Sequence, residues 1–161
     1  MVALSQRPEV RVKDNVTLNE LERILAQCPQ QPIPTLHLFT GSIEDGTHMY
    51  VRSVIMAKGS IFTSKIHKTE HPFVVSAGSC TVCDGEGHKE LVRAPHLGVT
   101  KPGTRRAVLI HEDCIWTTFH ATNLTSVDEI EKEIIEPHFI PEVADGSRAQ
   151  LDIFVVPNEL K

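Results

Sequence analysis

Apolar residues follow a helical spacing in two short segments, one on each side of a central region. In "TLNELERILAQCP" and "TSVDEIEKEIIEP" they recur every three or four residues, which places them on one side of a helix. A capping box begins each segment and a proline ends it, so we predict helices at about 17–28 and 126–136 that dock through their apolar stripes. The stripes are Leu18, Leu21, Ile24 and Leu25, then Val127, Ile130, Ile134 and Ile135, and the boxes are Thr17 with Glu20 and Ser126 with Glu129.

Between these segments apolar residues come in short runs separated by glycine, proline and aspartate, a pattern typical of strands and turns. "DGEG", between "CTVC" and "KELV", has the composition of a hairpin turn. About eight strands at this spacing predict a sandwich or a barrel. We therefore predict one all-β domain over 1–161, with its core at about 33–124 and a tail at 137–161. In the tail, "LDIFVV" is a predicted strand that completes the sheet or pairs with a neighbouring subunit. The central runs are "TLHLF", "MYVRSVIM", "SIFTSKIH", "PFVVSAG", "SCTVCDGEGHKELVRA", "LGVTKPG", "RRAVLI" and "CIWTTFHAT".

Charge and composition narrow the classes of partner. The 161 residues carry a net charge of −5, and nucleic-acid binding needs a basic face, so we expect no nucleic-acid partner. The first residues lack the apolar run of a signal peptide, and nothing reaches the roughly 18 apolar residues of a membrane span. We therefore expect no membrane partner and a cytoplasmic location. There the four cysteines stay reduced, and Cys80 and Cys83 of "CTVC" are structural thiols.

A polar cluster interrupts the apolar runs in "GSIFTSKIHKTEHPFVVSAG". Lys65, His67, Thr69 and His71 alternate along it, and residues two apart in a strand share a face. In a barrel that face points either to solvent or into the cavity, and parity alone leaves both possibilities open. The cluster is therefore either a solvated strand face or the lining of a pocket.

The spacing of this cluster resembles the first motif of the cupins. Gly59, Lys65, His67, His71 and Gly78 stand at the five positions where that motif has Gly, His, His, Glu and Gly. The resemblance implies a cupin jelly-roll barrel of the RmlC-like kind, with the two predicted helices packed outside it. Among the motif's three usual ligands, only His67 is retained.

A second segment, "TKPGTRRAVLIHED", is similar to the second cupin motif. Gly103 stands as its glycine, and Arg106 stands where the family has its fourth ligand, a histidine. The run from about 45 to 136 also resembles small single-domain cupins encoded by phages and prophages. This resemblance implies a location in the host cytoplasm or the virion, with other virion proteins as possible partners. Cupins commonly dimerise, so a homo-oligomer is also expected.

The family's metal site implies one chemistry for the cluster. Three histidines and a carboxylate bind Fe, Mn, Ni or Zn, and open positions admit a substrate or dioxygen. The resemblance therefore implies metal ligands at His67 and His71. Lys65 and Arg106, at the other matched positions, are cations that repel a divalent ion. A metal-dependent enzyme would recruit its third ligand from the remaining candidates, which are His120, His111 and Glu70.

The same substitutions favour an anionic ligand. Lys65 and Arg106 beside His67 and His71, with His120 as a further lining residue, would form a cationic pocket suited to a phosphate, carboxylate or sulfate. Such a pocket requires a bound anion or a compensating carboxylate. The sequence thus supports a small-anion binding protein first, a metal-dependent cupin enzyme second, and a phage structural or interaction protein third. No nucleophile motif accompanies the cluster, so no catalytic residue is assigned.

Overall fold

The computed structural model describes residues 18–30, 32–42 and 44–137. They form two short helices and seven strands, which confirms the all-β prediction. The predicted tail after Pro137, with "LDIFVV", lies outside the described residues. Within the described ranges no helix has both the length and the apolar character needed to cross a membrane. In chain order the elements are α1 (Leu18–Ala26), β1 (Thr35–Phe39), β2 (His48–Met56), β3 (Ile61–Thr63), β4 (His71–Asp84), β5 (Lys89–Arg93), β6 (His96–Thr100), β7 (Arg106–Thr122) and α2 (Val127–Ile134).

Two long antiparallel strands organise the barrel. β4 and β7 pair along most of their length, and each changes its other neighbour midway. The first half of β7 pairs with β3 and its second half with β2. The first half of β4 pairs with β6 and its second half with β5. Both strands therefore contribute to two sheets, in the orders β1-β2-β7-β4-β6 and β3-β7-β4-β5, which is a double-sheet jelly roll.

A bend in β4 allows the strand to serve both sheets. Its register with β7 shifts between Val75 and Cys80, and Gly78, with a φ of 76°, lies among the shifts. Bulges of this kind bend a strand and increase its twist. The prediction of two separate strands here is wrong, because the bulged strand runs from His71 to Asp84 without a break.

Three apolar clusters join the helices and the sheets. α1 packs against β7 around Ala107, and α2 packs against β2 around Tyr50. Both predicted apolar stripes therefore dock, since Leu21 and Leu25 are 1% and 0% exposed and Ile130 is 0% exposed. The third cluster fills the barrel and comprises Met56, Phe73, Val75, Cys80, Val82, Val92, Val108, Ile110 and Cys114.

Some local predictions hold and others fail. The "DGEG" turn is confirmed, because Oδ1 of Asp84 accepts hydrogen bonds from the N–H groups of Glu86 and His88 at 2.9 Å. The capping box at Ser126 is wrong, because that side chain makes no capping hydrogen bond. Thr17 lies outside the described residues. All four cysteines are free thiols.

The polar cluster does not form the predicted strand face. β3 ends at Thr63, and the chain then runs as a loop to His71. The carbonyl of His67 accepts a hydrogen bond from the N–H of Gly103 at 2.9 Å, and the N–H of Lys68 donates to the last carbonyl of α2 at 2.7 Å. Because the loop is tied to two different elements, its side chains do not alternate about a single strand.

Candidate metal centre

Three histidine side chains converge at one end of the barrel. One ring nitrogen from each of His67, His71 and His120 lies within 4.8 Å of the other two. The ring centroids are 4.2 to 5.6 Å apart. His71 and His120 are 3% and 4% exposed. His67 is partly buried, and the three residues together are called the histidine triad below.

The histidine triad is assembled from three separate segments. His120 lies near the end of β7 and shares the inward face of Thr118, because residues two apart on a strand point the same way. Thr118 pairs with Phe73 of β4, so His71, the first residue of β4, lies opposite His120. His67 arrives from the loop after β3. The motif spacing joins His67 and His71 locally, whereas His120 joins them only through the closed barrel.

Burial keeps the histidine triad neutral. It lowers the pKa of His67 to about 3 and that of His120 to about 4, and the pKa of His71 is also lowered. Nδ1 of His71 lies 3.2 Å from the carbonyl oxygen of Thr69, which only accepts, so Nδ1 carries the proton. The Nε2 lone pair of His71 is therefore available, and a carbonyl bonded to the other nitrogen is the usual support of a metal-binding histidine.

A pocket of about 110 Å³ extends from the histidine triad into the barrel. The inward-facing residues of β2 run from Tyr50, opposite His120, through Arg52 and Val54 to Met56. The pocket is therefore polar beside the triad and apolar at its far end. Other apolar lining residues are Ile33, Phe62, Val108 and Trp116.

Three cationic residues line this pocket: the predicted Lys65 and Arg106, and Arg52, which sequence reasoning missed. The charge of Arg52 contributes to the lowered pKa of two triad histidines, which places it near them. Nζ of Lys65 lies 3.7 Å from a carboxylate oxygen of Glu131 on α2. The sequence could have indicated Arg52, because it is a charged residue within the otherwise largely apolar run "MYVRSVIM".

Arg106 lies between this pocket and a second cavity of about 390 Å³. Burial lowers the pKa of Arg106, and the carboxylates of Glu90 and Asp84 oppose that shift. Its guanidinium carbon lies 5.9 Å from the centre of the Phe73 ring. With Glu131 beside Lys65, these carboxylates supply the compensating charge that a cationic cluster requires.

His111 and Glu70, the other two candidates for the third metal ligand, make hydrogen bonds outside the histidine triad. Nε2 of His111 lies 2.6 Å from the hydroxyl of Thr81. Glu70 accepts a hydrogen bond from Nζ of Lys101 at 2.6 Å, on the exposed surface. The third nitrogen beside the two motif histidines is therefore that of His120.

Comparison with solved structures identifies the fold. A mutant of oxalate decarboxylase from Bacillus subtilis aligns with 70% of this chain at a TM-score of 0.50 and 11% identity, over 31% of its own length. An RmlC-like cupin from Shewanella frigidimarina aligns with 65% of this chain and 90% of its own, at 12% identity and a TM-score of 0.45. This chain has the fold of the oxalate decarboxylase region it matches, which is the cupin fold. Neither the known family models nor the curated proteins give a match.

In this chain the ligand positions of the cupin motifs hold a different set of side chains. His67, which retains a motif histidine, and His71, which stands in place of the motif glutamate, both enter the histidine triad. Lys65 and Arg106, at the two other ligand positions, line the pocket as cations. His120, outside both motifs, supplies the third nitrogen. The comparisons give no support to a phage origin, so virion partners and a host-cell location stay predictions.

Proposed function

We propose that this cupin-fold chain binds a divalent transition-metal ion through His67, His71 and His120 and holds a small oxyanion beside it. The observation that carries the proposal is the convergence of three ring nitrogens within 4.8 Å of one another, two of them on buried residues and the third on the partly buried His67. Neutral imidazoles suit Fe, Ni, Cu and Zn, and three protein ligands leave open coordination positions. A metal bound there would act as a Lewis acid toward a ligand oxygen.

The lining of the pocket indicates the class of ligand. Arg52 favours a carboxylate, because a guanidinium binds its two oxygens with paired hydrogen bonds. The far end, around Val54 and Met56, favours an apolar group. A cavity of roughly 150 Å³ holds benzene, so about 110 Å³ suits a ligand of only a few carbon atoms. A short-chain carboxylate with its acid group toward the metal meets both conditions.

Metal analysis of the full-length chain tests this function. After loading with Ni²⁺ and desalting, we expect one ion per chain in the wild type and almost none in His120→Ala, because two imidazoles hold the ion far more weakly than three. His111→Ala is the matched control and should retain the ion, since His111 bonds to Thr81 on another face. Equal occupancy in the two variants, or no occupancy in the wild type, contradicts the proposal.

An oxyanion pocket without a metal is the second candidate. It is favoured by the cations Arg52, Lys65 and Arg106, which line one cavity. Titration with butyrate after treatment with a chelator separates the two functions. Undiminished binding supports the metal-free pocket, whereas binding that appears only after Ni²⁺ is added supports the metal centre.

A further inference from the structure

The second cavity, of about 390 Å³, is separated from the histidine triad by two stacked aromatic rings. The ring centroids of Phe73 and Trp116 are 4.4 Å apart. A Cβ at Gly98 would lie 2.5 Å from Cζ of Phe73, so this ring also packs directly against β6. Phe73 lines the second cavity but not the pocket beside the triad, whereas Trp116 lines both. We call the two rings the aromatic wall.

The register of the strands turns charged side chains into the second cavity. Residues directly opposite each other on antiparallel strands project to the same side of the sheet. Glu90 of β5 lies opposite Val82, which belongs to the barrel core. Arg106 of β7 lies opposite Asp84 of β4. All four residues line the cavity, so one cation and two carboxylates face it from three neighbouring strands.

The guanidinium of Arg106 is directed toward this cavity. Its central carbon lies 5.9 Å from the centre of the Phe73 ring. The carboxylates that act on its pKa are those of Glu90 and Asp84, which line the second cavity and not the pocket beside the triad. Within the described ranges the guanidinium donates no hydrogen bond and forms no ion pair. Opposite charges therefore face each other across open space.

Other polar groups along the second cavity also have unused hydrogen-bonding capacity. Among the described residues, neither the carboxylate of Glu90 nor the indole N–H of Trp116 has a hydrogen-bond partner. Asp84 differs, because its carboxylate already accepts bonds from the turn and lies 3.0 Å from Nδ1 of His88. The cavity therefore offers donors at the aromatic wall and a carboxylate acceptor at Glu90.

We propose that the second cavity binds a small zwitterion that carries an aromatic ring, such as an aromatic amino acid. Its carboxylate bonds to Arg106 through paired N–H groups, and its ammonium group bonds to Glu90. The ring packs against the aromatic wall, since aromatic pairs favour such stacking. A simple anion would meet the like charge of Glu90, and a simple cation would meet that of Arg106.

The volumes of the two cavities place this ligand in the second one. A cavity of roughly 150 Å³ holds benzene, so about 390 Å³ has room for an aromatic ring with its charged groups. The pocket beside the histidine triad, at about 110 Å³, is too small for the ring. This inference does not depend on the proposed metal centre.

Trp116 is the single tryptophan of the chain, so its fluorescence reports directly on the second cavity. The test is a titration of the full-length, chelator-treated protein with L-phenylalanine, under excitation selective for tryptophan. We expect a saturable change in fluorescence. 3-Phenylpropionate lacks the ammonium group and phenethylamine lacks the carboxylate. Each should bind about 10 to 100 times more weakly, because each loses a hydrogen-bonded charge.

Glu90→Gln tests the assigned contact. We expect it to bind L-phenylalanine about 10 times more weakly than the wild type and to lose no affinity for 3-phenylpropionate. Glu129→Gln, at an exposed position of α2, is the matched control and should bind like the wild type. Glu90 is also exposed, which favours an unchanged fold, and near-ultraviolet circular dichroism checks this.

Three results would overturn the proposal. The first is a wild type whose fluorescence shows no saturable change with L-phenylalanine. The second is equal affinity of Glu90→Gln and Glu129→Gln for L-phenylalanine. The third is binding of 3-phenylpropionate as tight as that of L-phenylalanine, because the ligand would then be an anion rather than a zwitterion. The chelator keeps all three independent of whether the histidine triad binds a metal.

Discussion

The pocket holds two kinds of basic side chain, and burial affects them differently. It lowers the pKa of His67 to about 3 and that of His120 to about 4, so these imidazoles are neutral near pH 7 and can donate a lone pair. Arginine stays charged in proteins, so Arg52 keeps its charge in the same pocket. The histidine triad can therefore take a cation while Arg52 attracts an anion.

Replacing Arg52 should separate these two roles. We expect Arg52→Leu to retain Ni²⁺ and to bind butyrate about 10 to 100 times more weakly, since a hydrogen bond to a charged group contributes about 1.5 to 3 kcal/mol. Calorimetric titration of the Ni²⁺-loaded protein measures the change. Arg93→Leu, an exposed position on β5, is the control and should bind butyrate like the wild type. An unchanged affinity of Arg52→Leu for butyrate would show that Arg52 does not bind the ligand.

At the scale of the elements, the bend in β4 is what brings the triad together with the pocket. The first half of β4 carries His71 and the second half contributes Cys80 and Val82 to the barrel core. Gly78 lies at the bend because a Cβ there would be 2.7 Å from the carbonyl carbon of Asp113. Its φ of 76° also favours glycine.

Gly78→Ala should therefore be strongly destabilising. We expect the free energy of unfolding to fall by about 3 kcal/mol or more, from the left-handed backbone and the clash with β7 together. Gly87→Ala is a matched control, because its φ is 88° but a Cβ there would meet nothing within 4 Å. That variant should lose only about 1 to 2 kcal/mol. Urea denaturation compares the two, and equal losses would show that the close approach to Asp113 has no effect.

For the whole molecule, closing the barrel over three histidines makes stability depend on pH. In the unfolded chain each histidine titrates near 6.5, whereas in the folded protein His67 and His120 titrate near 3 and 4. Between these values the unfolded state binds more protons than the folded state. The free energy of unfolding of the metal-free protein therefore falls as the pH falls through this window.

The size of this effect can be measured with a chelator present. From pH 6.5 to pH 5 we expect a loss of roughly 2 kcal/mol for each of His67 and His120. His120→Gln should show a correspondingly smaller loss, because glutamine does not titrate. Urea denaturation at several pH values provides the comparison. Equal pH dependence in the wild type and the variant would show that His120 is not held neutral by the fold.

Much of the fold could be predicted from local patterns. The helical spacing of α1 and α2 and the turn at Asp84 depend on nearby residues, and the structure confirms them. The glycine and histidine spacing from Gly59 to Gly78 implied the cupin barrel, and the fold comparison agrees. The loop from Ser64 to Glu70 was predicted wrongly, because its hydrogen bonds go to distant elements.

The sequence by itself determined the periodicity of the elements and, through the motif spacing, the cupin fold and two triad histidines, with His120 as one of three candidates for the third. Only the tertiary structure decided which remaining side chains join them. His120 enters the triad because the register of β7 with β4 places it opposite His71. Arg52 enters the pocket because β2 turns that face inward. Both positions depend on the pairing of strands that lie far apart in the sequence. The spacing of residues along the chain does not reveal which strands pair.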